Sequence, residues 1–380
     1  MSHSLHHFYG EFMNPLTRSA SAVGAVAVLA LALSACGAGA SNSPSAAAQN
    51  SSVTPAATTE YPLTVDNCGL SQSFDKAPSR VAILNGNSIA EVQSVLALGL
   101  AKSVVANAQK YGVYDDPSMA QQISALPTVS SAGSTQRDIP AETLLNLKPD
   151  LVIANSSGAF DTGKGMATRE QLAAIGAKTL INPDQCALGK ASPSAEEKTA
   201  LANASWASAK TFYTLLGKVF NVQAKAQELN QSIDQRVKSV ADKIGASGSA
   251  KKKPTVLVAF PGMSMMNSNG LPAVMTGSQY DSLLGAAGAR NAFTGQDRMF
   301  TRSLSAEQLA AAKVDVLVLG RFTAAEDAQT EAEKLFAAYP QWDAAKNKRF
   351  VSLADSAYLG PHNALAIEKI AQVTHPDAFS

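Results

Sequence analysis

Histidine and cysteine are scarce in this 380-residue chain, with five of the first and three of the second. His3, His6 and His7 precede residue 36, which leaves only His362 and His375 beyond it. A receptor for bare zinc or manganese needs about three or four His and carboxylate ligands on facing loops, so direct metal binding is not expected. Also missing are a Gly-x-Ser-x-Gly elbow, a Walker loop and a His-Glu-x-x-His pair, and Gly163-Lys164-Gly165 is too short to cradle a phosphate. Tyr358 and His362 could serve a cell-envelope hydrolase as an acid/base pair, but no nucleophile motif accompanies them. No catalytic residue and no cofactor are therefore expected. Neither charge is in excess, with 31 Lys and Arg against 30 Asp and Glu, so no field for nucleic acid is present. Aromatic residues make up 6% and hydrophobic residues 46%, the balance of an Ala- and Leu-rich α/β protein.

One sustained apolar run stands out, from Ala22 to Leu33, ending in Leu33-Ser34-Ala35-Cys36. It is well short of the roughly 20 residues that span a bilayer and reads as the apolar core of a signal peptide. Small residues before a Cys are what a lipoprotein signal peptidase accepts, so residues 1–35 are expected to be removed and Cys36 lipidated. The competing reading is a chance Cys beside a membrane anchor. Residues 1–12 carry one acid and no Lys or Arg, whereas a start at Met13 supplies Arg18 as the positive charge. Met13 is thus the expected start. Residues 36–60 are small, polar and Pro-containing, a disordered tether between lipid and folded body. With Cys36 acylated, Cys68 and Cys186 remain as an even pair in an exported protein, most simply a disulfide, with two free buried thiols as the alternative.

Beyond Arg80 strand-like runs alternate with helical patterns. Val81–Leu84, Ser103–Ala106, Leu126–Val129, Asp150–Ala154 and Lys178–Ile181 read as strands. Asp138-Ile139-Pro140 opens a helix with Asp138 as N-cap. Ser194–Phe220 reads as one helix, followed by another over Gln223–Ile244. Strands resume at Thr255–Phe260, Val314–Leu319 and Arg349–Leu353, with helices between them and a closing helix over Ala364–Val373. A repeat links the halves: residues 139–154 align without gaps on 304–319, with Ala, Glu, Leu, Lys and Asp recurring. The expected fold is α/β, two βα lobes with mostly parallel sheets joined by a long helix. The lobes are placed at 61–196 and 221–380, with 197–220 as the connection.

Tyr61–Gly69 leading into Phe74–Val81, the helix to Leu98-Gly99-Leu100, Leu147–Val152, and Gly360–Ala364 through His375-Pro376 complete the pattern. From Tyr61 onward it resembles the iron-siderophore substrate-binding lipoproteins of ABC importers, most closely actinobacterial members, related to cobalamin- and ferrichrome-binding proteins. The resemblance implies a class III periplasmic binding protein architecture whose rigid helix permits only slight closure. It implies a monomeric receptor, lipid-anchored on the extracytoplasmic face, that takes a ferric siderophore to an ABC permease. A haem or corrinoid ligand is the alternative. It further implies docking glutamates on each lobe, which fall on the repeated helix at Glu142 and Glu307; an acid there also complements the helix dipole.

Ligand contacts are expected on loops after strand C-termini. In the first lobe these are Asn85, Tyr111, Gln136, Arg137 and Phe160; in the second, Met263, Phe300, Arg302, Arg321, Tyr358 and His362. Arg offers a charged planar fork to carboxylates or catecholates, while Met and aromatic rings cover apolar linkers. Relatives often carry a Trp six or seven residues before each docking Glu. Here Gln136 and Phe300 stand there, which argues against a cobalamin ligand.

Overall fold

Short apolar runs between turn formers make strands that can be buried on both faces, and the computed structural model places them so. It describes residues 58–86, 88–110, 112–129, 138–267 and 269–380. The expected signal peptide, the lipidation site Cys36 and the ligand candidates Tyr111, Gln136 and Arg137 lie outside the described residues.

The chain enters through a hairpin, β1 (Leu63–Asn67) and β2 (Leu70–Phe74), that the hydrophobic pattern did not announce. Its two-residue turn puts both Cys68 and Gly69 at positive φ, the geometry that matches the twist of the flanking strands. Cys68 is bonded to Cys186, with 5.1 Å between Cα atoms, which ties the hairpin to the turn after the first sheet.

The first lobe then runs β3 (Val81–Ile83), α1 (Ala90–Ala97), β4 (Val104–Asn107), α2 (Pro117–Ser124), α3 (Ala141–Asn146), β5 (Leu151–Ala154), α4 (Arg169–Ala174) and β6 (Lys178–Ile181). Its parallel sheet has the order β4-β3-β5-β6. After α5 (Ala195–Ala202), α6 (Lys210–Val219) and α7 (Gln223–Ala246), the second lobe repeats the plan. It comprises β7 (Thr255–Phe260), β8 (Ala273–Val274), α8 (Ser278–Ala286), β9 (Arg290–Asn291), α9 (Ala306–Ala311), β10 (Val316–Arg321), α10 (Ala328–Ala338), α11 (Asp343–Lys346), β11 (Phe350–Ala354) and α12 (Asn363–Thr374). Here β11, β10, β7 and β9 run parallel in that order, and antiparallel β8 pairs with the carboxyl end of β7.

Alternate residues of each strand serve different cores, as the two-residue period requires. Val81, Ile83, Val256, Val258, Val316 and Val318 face one core common to both lobes, together with Ile233, Val237, Val240 and Ile244 of α7. Ala82 and Leu84 face an outer core of the first lobe, and Leu257 and Leu317 one of the second.

Four expectations need correction. The helix expected over Ser194–Phe220, and with it the connection at 197–220, is broken between α5 and α6. Ser205 and Ser208 each accept from the other's backbone N–H, at 3.0 and 2.8 Å, and the Ser208 hydroxyl donates to Asp184 at 2.6 Å. Such local side-chain bonds compete with helix hydrogen bonds. The long element is α7, which packs on α6 at one side and on α12 and α8 at the other. Leu126–Val129 is not a strand: Pro127 has no N–H to give a ladder, and only its carbonyl is used, by Asn107 N–H at 2.9 Å. Asp138 does not cap α3, whose N-cap is Pro140; its carboxylate accepts from the N–H groups of Asn85 and Ile139, at 2.9 and 2.8 Å. The tether expected to reach residue 60 is already fastened at Thr59, whose hydroxyl donates to the Lys218 carbonyl at 2.6 Å.

Candidate functional site

In both sheets the strand order reverses at the centre, between β3 and β5 and between β7 and β10. At such switch points the loops leaving the strand carboxyl ends diverge and open a crevice for ligand. The first lobe floors this end with amides. Glu91, buried in the first turn of α1, accepts from Gln109 Nε2 at 2.9 Å, Asn155 Nδ2 at 3.2 Å and Asn182 Nδ2 at 3.4 Å. Those three residues follow β4, β5 and β6, so one carboxylate gathers the ends of three strands. Burial raises the Glu91 carboxyl above the ordinary range, and the amides oppose that shift. Asn85, after β3, leaves its side-chain carbonyl without a partner, as does Asn155.

The second lobe floors the same end with acids and tyrosines. Glu326 accepts from Phe322 N–H at 2.6 Å, which folds back the loop after β10. Burial, then repulsion from Glu326, lifts Asp355 to about 7. Tyr358 packs its ring 5.6 Å from those of Phe260 and Tyr280.

The lobes touch across this region. Gln93 Nε2 donates to the Ser356 carbonyl at 3.1 Å. Gly360 turns at φ +74 against α1, where a Cβ would stand 2.9 Å from Cα of Ala90, so only glycine permits this approach. Asp115 of the first lobe pairs with Arg321 of the second at 3.0 Å.

Of the expected ligand contacts, the structure brings Asn85, Met263, Arg321 and His362 to the strand ends or the inter-lobe turns. Met263 sits in the 3₁₀ segment Pro261–Met266 after β7, next to the exposed Met265 and Met266. His362 ends the turn Gly360–His362 facing the Asp116 charge, and burial holds its ring below the usual histidine value. Arg302 is exposed and the Phe300 ring packs tilted against Phe293, centroids 5.0 Å apart, both Arg302 and Phe300 lying in a turn beside β8. Phe160 and Tyr358 are not accessible walls: Phe160 belongs to the outer core of the first lobe, and Tyr358 is fully buried in the common core. Aromatic character alone had suggested a wall, and burial assigns these rings to packing. Sequence reasoning missed Glu91, Asp115, Asn155, Glu326 and Asp355. Asn155 and Asp355 each follow directly on a strand, the signal that selected Asn85, and Asp115-Asp116-Pro117 has the look of a helix start.

Glu142 and Glu307 are exposed at equivalent places in the first turns of α3 and α9. Hydrogen bonds to Ser305 and to its own backbone hold the Glu307 carboxyl below its ordinary value. Among the described residues, no cluster of His, Cys, Asp and Glu is arranged to hold a metal ion, and no helix is long and apolar enough to cross a membrane. A surface cavity lined by Lys252, Pro254, Asp315, Asp343, Asn347 and Arg349 lies at the amino ends of the second sheet, away from the crevice.

Residues 85–357 match the family model described as periplasmic binding protein. A periplasmic binding protein from Veillonella parvula is 16% identical, with TM-score 0.62, and the match covers 83% of this chain and 97% of that one. An ABC-type Fe3+-hydroxamate transport system structure from Saccharomonospora viridis is 22% identical, with TM-score 0.57, covering 83% and 100%. A periplasmic heme binding protein from Pseudomonas aeruginosa is 22% identical, with TM-score 0.51, covering 79% and 93%. At these identities the likeness is one of fold. No curated protein sequence matches the chain. The chain belongs to the periplasmic binding protein family.

Proposed function

We propose, from that family membership, that the chain is the receptor of an ABC importer and takes a ferric siderophore into the crevice between its lobes. It acts as a monomer, held on the extracytoplasmic face of the membrane by a lipidated Cys36, and is a binding protein rather than an enzyme. The observation that carries the reading is the pair of switch points bridged by Asp115 and Arg321, one edged by the partly exposed Asn85 amide and the other by Arg321 and methionines. A ferric siderophore presents oxygens over apolar linkers, which amides, a guanidinium and thioethers can meet together. The Saccharomonospora viridis structure, of a Fe3+-hydroxamate system, supports this choice. The Pseudomonas aeruginosa heme binding protein keeps haem as the second reading. Glu142 and Glu307 are read as the contacts with the permease.

The test is a titration of purified protein, followed by intrinsic fluorescence, with ferric hydroxamate and catecholate siderophores, haem and cobalamin. Saturable binding of one class of ferric siderophore is expected, with no response to cobalamin. Binding of haem alone would transfer the assignment to the second reading.

A further inference from the structure

Asp115 reaches out of the first lobe and ends inside the second. It lies between β4 and α2, its side chain is 5% exposed, and its two oxygens are shared among donors of the other lobe. Oδ1 accepts from Arg321 Nη2 at 3.0 Å and stands 3.5 Å from Lys369 Nζ. Oδ2 accepts from the backbone N–H of Ala354 at 2.8 Å. Arg321 and Ala354 are register partners at the carboxyl ends of β10 and β11, and Lys369 comes from α12. Each oxygen of one carboxylate thus has its own donor, in a cradle carrying two positive charges. The neighbouring Asp116 caps α2 through Ser118 N–H at 2.9 Å, so the helix start, not a free loop, delivers the Asp115 carboxylate.

Buried ion pairs are a poor means of joining two lobes, because desolvation offsets much of the attraction. A cradle at the ligand-facing end of a sheet, filled by a residue of the opposite lobe, has a second use. We propose that Asp115 stands in for a carboxylate of the ligand. In this inference, which rests on the crevice being the ligand site, Arg321, Lys369 and the Ala354 N–H form a carboxylate subsite. The ligand is then a ferric chelate with a peripheral carboxylate, and its binding displaces Asp115. An uncharged ferric trihydroxamate gives the cradle no matching group.

The experiment uses metal-free citrate, ferric citrate and an uncharged ferric trihydroxamate as probes, measured by calorimetry on wild type, Asp115→Asn and Asp115→Asn/Arg321→Gln. Asn preserves size and can still accept from Ala354 N–H. Both citrate probes should bind Asp115→Asn about tenfold or more tightly than wild type, and the added Arg321→Gln should remove the gain. Unchanged or weaker citrate binding, or a gain that survives loss of Arg321, makes Asp115 a structural tie and overturns the proposal. If Asp115→Asn does not fold, Asp115→Ser decides, because it too vacates the cradle: ferric citrate affinity rises several-fold over wild type, or the subsite is refuted. Tight trihydroxamate binding indifferent to Asp115 would overturn the subsite and keep the receptor. A citrate gain in Asp115→Asn, with no ferric chelate bound by wild type, would keep the subsite and overturn the receptor.

Discussion

Asp355 shows how position sets the chemistry of a single side chain. Burial, then the Glu326 charge, raise its carboxyl from 3.8 to about 7. Between those values the folded chain holds a proton that the unfolded chain has released. The stability this supplies is complete below the unfolded value and is lost as pH rises through about 7. Asp355→Asn carries no charge at any pH, so it should match wild type near pH 4 and exceed it near pH 8. With about 1.4 kcal/mol per pKa unit, and allowing for relaxation around the charge, the gain at pH 8 should be on the order of 1–3 kcal/mol. Thermal denaturation of both proteins across that range checks this, and a difference independent of pH would contradict it. The position of Asp355, directly after β11, carried a signal in the sequence, but its pairing did not. Its partner Glu326 is 29 residues away, in the loop that leads to α10.

At the scale of elements, the repeat was the most legible feature. Helix α3 with strand β5, and α9 with β10, keep one spacing: each second-lobe element starts 165 residues after its counterpart. Apolar runs such as Val256-Leu257-Val258 announced the central strands because a parallel sheet covered on both faces needs unbroken apolar sequence. What stayed hidden depended on side chains bonding to backbone or across long separations. The serines that interrupt the helix before α6 are of the first kind, and the Glu91 amide platform is of the second. The repeat also places Glu142 and Glu307 alike, exposed in the first turn of each helix. Glu142→Ala and Glu307→Ala should each leave ligand affinity within about twofold of wild type, as surface substitutions do. Uptake into vesicles holding the partner permease should fall with each change, and further with both together. A large loss of ligand affinity in either variant would put that residue in the crevice instead.

For the molecule as a whole, the common core matters more than either sheet. Side chains of both lobes meet those of α7 in one continuous apolar cluster, so the lobes are held by packing as well as by the chain connection. A helix with buried Ile233, Val237, Val240 and Ile244 resists bending, since bending would open that core to water. The binding site proposed above, edged by the loops after β3 and β5 on one side and after β7 and β10 on the other, therefore calls for little movement of the lobes. The most direct test of this account is anomalous diffraction at the iron edge from crystals of the complex with the ferric chelate that binds. The iron peak should lie between the carboxyl ends of the two sheets, within reach of Asn85 and Arg321. A peak on the outer face of either lobe, or in the cavity beside Lys252 and Arg349, would contradict it.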